Sequence, residues 1–192
     1  MVDKEKVMKD LLINFLFTEP FFANIIRSLN KIETKDIPTA GVTANNGSYT
    51  LYWNYDFLKS LTQKQRIGLL KHECYHLIFN HVTKRKQTPH SLWNISTDLA
   101  INSIIPLREL PEGGFNPGYP LSFNEDDSLP EDFKQKRQQM SDFIRSLPRD
   151  KTSEYYMEQF MKNEEMKNMF QEMMEGSDSG DSEFGFDHHF DN

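Results

Sequence analysis

The chain has 192 residues, enough for one domain with a real core and short for two, with 37% hydrophobic and 27% charged residues. Its one cysteine, Cys74, excludes an internal disulfide and with it any need for an oxidising compartment. The net charge of −7 is concentrated at the end: Glu172–Asn192 holds seven acids and no Lys or Arg, and without them 22 acids face 22 bases. That balance leaves no basic surface for phosphates and argues against nucleic acid as a partner.

Val7, Leu11, Leu12, Phe15 and Leu16 recur at helical spacing until Pro20, and Phe21, Phe22, Ile25, Ile26 and Leu29 form a second amphipathic set. No run reaches the roughly 18–20 apolar residues of a membrane helix. Charges of both signs precede the apolar Leu11–Phe17 stretch, and Thr18-Glu19-Pro20 follows where a leader would carry small residues. A cytoplasmic setting, with neither membrane nor secretion, is therefore expected.

Pro38 and Gly41 break the helical pattern. Val42–Ala44, the turn Asn45-Asn46-Gly47-Ser48 and Tyr49–Trp53 predict a β-hairpin, because Asn-Gly supplies the positive φ angles of a tight turn. Residues 54–61 carry the chain onward. Thr62, with Gln65 three residues later, reads as the capped start of a helix to about Val82 that is apolar on nearly every side and hence central. Residues 84–89 are a polar connection, and Trp93, Ile95, Leu99, Ile101, Ile104 and Ile105 mark a second buried helix that ends at Pro106. Proline and glycine make Pro111–Pro130 loop-like. Helical patterning returns at Asp132–Leu147 and from Ser153 to about Met174. The expected organisation is an α+β, mainly helical domain over residues 1–171 with a small antiparallel hairpin or sheet, followed by an acidic tail over 172–192.

The central helix carries His72-Glu73-Cys74-Tyr75-His76. Residues i and i+4 lie on one face, about 6 Å apart along the axis, so both imidazoles can converge on one cation. Glu73 can then reach the open position and take a proton from a bound water. Zinc is the expected cofactor, since it acidifies water and polarises a carbonyl.

A catalytic zinc site takes a third protein ligand. At ~100° per residue His76 falls at about 160° and His81 at about 300°, so on a continuous helix His81 faces away as a structural or ligand-supporting histidine, and only a break near Asn80 brings it back as an alternative ligand. Asp98 is the better third ligand. It sits mid-helix among apolar residues, where a carboxylate is costly unless paired or metal-bound. Asn94, Asp98 and Asn102 form an i, i+4, i+8 stripe whose amides can brace the aspartate, and a bracing role for Asp98 itself is the alternative. Cys74 turns to the apolar side and reads as a small buried hydrophobe. His90 sits in a proline-flanked loop.

Together Pro20–Phe22, Ile37–Val42, the hairpin, His72–His81, Trp93–Asn102 and Thr152–Phe160 resemble the metallopeptidase domain found in bacterial and phage proteins, where it often precedes a von Willebrand A-like domain. The acidic end with Asp187-His188-His189 is similar to that family too. The resemblance implies a zinc-dependent peptidase of zincin-like build.

The expected activity is hydrolysis of a peptide or protein substrate, with zinc on His72, His76 and Asp98 and Glu73 as general base. An extended substrate is expected along Tyr49, Leu51 and Trp53, held by β-augmentation. A closed, non-catalytic zinc site is the rival, distinguished by a fourth protein ligand. A latent peptidase, capped by Asp187, His188 or His189, is another. A deformylase is a third use of the motif, disfavoured because no cysteine motif lies upstream.

Overall fold

The computed structural model describes residues 4–45, 47–123 and 129–176. These are mainly helical with one small sheet, an α+β arrangement. They fall into two compact units, residues 4–85 with 105–111, and residues 86–104 with 112–176. No helix among the described residues is long and apolar enough to cross a membrane.

The first unit begins with helix α1 (Lys4–Thr18), which buries Met8, Leu11 and Phe15. Pro20 ends that run and opens α2 (Pro20–Ser28), where its fixed φ suits a first helical turn and its missing N–H costs nothing. Strands β1 (Asn30–Glu33), β2 (Ala40–Asn45) and β3 (Ser48–Trp53) follow, in sheet order β1-β3-β2. The expected hairpin is β2–β3, with Ala40 opposite Trp53. The sheet as a whole is mixed, because β1 adds in parallel with Asn30 opposite Thr50.

This order corrects the expected substrate strand. Thr50–Trp53 is paired on both sides, so that stretch of β3 offers no edge for a peptide to join. Leu51 and Trp53 belong to the core at 0% and 5% exposure, and only Tyr49 of the three is exposed.

Asn54 ties the sheet to the helices. Its Oδ1 accepts from the Asp56 and Phe57 N–H groups at 2.9 and 3.3 Å, which starts the short helix α3 (Tyr55–Ser60), and its Nδ2 donates to the Ile37 carbonyl at 2.8 Å. Helix α4 (Gln63–Ile78) then opens on the expected capping box: Gln65 N–H donates to Thr62 Oγ1, and Thr62 N–H donates to Gln65 Oε1. It buries Gly68 through Cys74 and His76, as a central helix should. It packs against α1, α2, β2 and the 3-10 turn Leu107–Glu109. At Gly68 that turn comes so close that a Cβ would lie 1.9 Å from the Glu109 carbonyl oxygen. Glycine is required there.

Helix α4 stops at Ile78, short of Val82. Asn80 has φ +58°, its N–H donates to the Leu77 carbonyl at 3.1 Å, and the His81 N–H donates to the His76 carbonyl at 2.9 Å. This is a Schellman ending, which satisfies two terminal carbonyls by placing one residue in the left-handed region; asparagine tolerates that region better than most side chains.

The second unit consists of α5 (His90–Ile104), α6 (Glu131–Ser146), α7 (Ser153–Lys162) and α8 (Glu164–Gly176). His90 is the exposed first residue of α5 and no longer part of a loop. Leu92, Trp93, Ile95 and Leu99 of α5 share a core with Ile144, Tyr156, Phe160 and Phe170. The expected 153–174 helix is two helices. Asn163 interrupts it, its Oδ1 accepting the Met166 N–H at 3.1 Å and so capping α8. The break lets Phe160 and Phe170 meet edge to face at 5.1 Å.

Candidate metal centre

One turn of α4 separates His72 from His76, and both rings are fully buried. Their Nε2 atoms lie 2.9 Å apart, so both imidazoles aim the same nitrogen at one point. Zinc–nitrogen bonds of about 2.0–2.1 Å at a tetrahedral angle would set two such nitrogens ~3.3 Å apart, a few tenths of an ångström wider. Glu73, between them in sequence, is also fully buried.

Asp98 lies in the middle of α5 at 5% exposure. One ligand atom from each of His72, His76 and Asp98 falls within 4.8 Å of the other two. Two imidazole nitrogens and a carboxylate oxygen are a donor set that suits a divalent transition metal, and this cluster could hold one.

The neighbouring polar residues divide their work. Asn102 is buried, and its Nδ2 donates to the Phe115 carbonyl at 2.9 Å, fastening the loop after α5. Asn94 is half-buried, and its carbonyl accepts the Thr97 hydroxyl at 2.8 Å. Cys74 is the buried apolar residue its helical position predicts. Burial pushes its thiol pKa up, the adjacent Glu73 charge adds to this, and the thiol donates to the Phe22 carbonyl at 3.6 Å. Tyr75 packs edge to face on Phe22 and stacks on Phe79, with burial raising its pKa.

His81 corrects the helical projection. Because α4 ends at Ile78, His81 does not point away from the motif: it is 5% exposed, and its Nδ1 lies 3.3 Å from Nδ1 of His76. The signal was present in Asn80, a residue type suited to positive φ just beyond the last turn. Asp187, His188 and His189 lie outside the described residues.

A family model described as "Putative metallopeptidase domain" matches residues 6–174. The chain belongs to this family. The metallopeptidase-domain match takes in both helices that carry His72, His76 and Asp98. Neither the curated proteins nor the solved structures include a match to this chain.

Proposed function

We propose that the protein is a zinc-dependent peptidase in which His72, His76 and Asp98 hold the ion and Glu73 manages the protons. The observation that carries this reading is the convergence of the two buried Nε2 atoms, 2.9 Å apart, with an Asp98 ligand atom within 4.8 Å. Membership of a metallopeptidase-domain family supports the same chemistry.

When bound, zinc lowers the pKa of a coordinated water from about 15.7 toward about 7 and polarises a carbonyl. Glu73 takes the proton of the attacking water as the new C–O bond forms. It returns that proton to the departing amine nitrogen as the C–N bond breaks, so one carboxylate serves as base and then as acid. Its burial removes competing solvent from this exchange. His72 and His76 are positioned by a helix whose start and end are both capped, which favours a fixed pair of nitrogens over a mobile one.

The substrate in this reading is a peptide or protein met in the cytoplasm, a setting in keeping with a single, buried cysteine, Cys74. Replacing Glu73 with Gln preserves shape and removes the base. The expected result is unchanged zinc content with peptide cleavage lowered at least ~100-fold, as general acid–base catalysis contributes about 10²–10⁴. Cleavage retained in Glu73→Gln would sink the assignment. A fourth protein ligand on the zinc would favour the structural rival.

A further inference from the structure

The Schellman ending of α4 does more than stop a helix. In that motif the residue two beyond the cap comes back against the residue three from the helix end, and the usual contact is apolar. Here the two positions are His81 and His76. Their rings meet edge to face with centroids 5.3 Å apart, and their Nδ1 atoms are 3.3 Å apart. Both are buried.

We infer that His81 is a positioning residue for His76: its Nδ1 accepts the His76 Nδ1–H, which keeps Nε2 of His76 bare for a metal ion. The inference rests on the reading of His72 and His76 as metal ligands. A neutral imidazole has one N–H and one lone pair. If the proton of His76 is on Nδ1, it points at His81 and Nε2 is available on the side of His72. If it is on Nε2, it lies in the 2.9 Å gap to His72 and blocks coordination through that atom. These two contacts of His76 compete for its one ring proton, and of the two arrangements only the one in which His81 accepts leaves Nε2 bare toward His72. Ligating histidines generally need such a partner on the other nitrogen, and losing it costs about 10–100-fold in affinity.

His81 reaches this place through its backbone. Asn80 at φ +58° reverses the chain, and the His81 N–H bond to the His76 carbonyl at 2.9 Å locks the return. The ring of Phe79, with its centroid 5.6 Å away, flanks His81.

The test uses the full chain, with zinc affinity measured by competition against a chromophoric chelator. His81→Leu fills the space without an acceptor and should weaken zinc binding about 10–100-fold. His81→Gln offers an amide oxygen and should recover most of that loss. A purely packing role would favour leucine over glutamine, so the order of the two variants separates the roles. Long-range ¹⁵N–¹H spectra of the zinc-loaded wild type provide a readout that needs no variant: His76 should carry its proton on Nδ1. Equal affinity in wild type and His81→Leu, or zinc on Nδ1 of His76, overturns the role of His81 while leaving the metal site standing. No zinc binding by the wild type overturns both.

Discussion

Lys71 shows how much the surroundings of one side chain decide. Its ammonium sits between Glu109 at 2.9 Å and Glu19 at 3.2 Å, largely shielded from solvent. Burial alone would lower its pKa; the hydrogen bonds and charges of Glu109 and Glu19 outweigh that, and the pKa ends above its usual 10.5. A lysine whose folded pKa is raised contributes stability that is complete below the unfolded pKa and lost as pH rises through the folded one. The ion triad should thus be insensitive across neutral pH and weaken only above 10.5. Lys71→Met leaves two carboxylates facing each other without a cation. The expected cost is about 2 kcal/mol, below the range for fully buried pairs because both glutamates keep some exposure. Urea denaturation at pH 7 measures it, and a change under ~0.5 kcal/mol would mean that the triad is only a surface pair.

Helix α4 shows what an element's two ends and one close contact can fix. Its start was readable, because Thr62 and Gln65 satisfy one another's N–H groups by a purely local rule. Its end was not. Apolar periodicity runs on through Phe79 and Val82, while the stop depends on a single left-handed residue, Asn80. That difference of four residues separates a His81 facing away from a His81 against His76. Strand β1 was illegible for another reason. Asn-Lys-Ile-Glu has no alternation strong enough to mark a strand, and it gains its hydrogen bonds from β3, a partner about twenty residues away. Gly68 belongs to the same scale. In an isolated helix Gly→Ala would stabilise by roughly 1 kcal/mol. Here the added methyl would strike the Glu109 carbonyl, so Gly68→Ala should instead lower stability by about 1–3 kcal/mol. Thermal melts of the variant decide the sign, and a raised Tm would contradict this packing.

For the molecule as a whole, the candidate metal cluster was easier to read from the sequence than the topology. His72 and His76 share a face through helical spacing alone, and Asp98 stands out as a carboxylate that an apolar helix would otherwise exclude. The order of the sheet, which makes β3 central and withdraws Leu51 and Trp53 from any substrate, depends on pairing that no local pattern records. The break at Asn163 had a visible cap residue, yet its purpose, bringing Phe160 onto Phe170, is tertiary.

The most direct measurement is the zinc content and affinity of the full chain purified without added metal, compared with His76→Ala and Asp98→Ala. A three-ligand centre predicts one zinc per wild-type chain and binding weakened by at least ~100-fold in each variant, with the circular dichroism of the fold retained. Zinc bound equally well by Asp98→Ala, or no zinc in the wild type, would contradict the account.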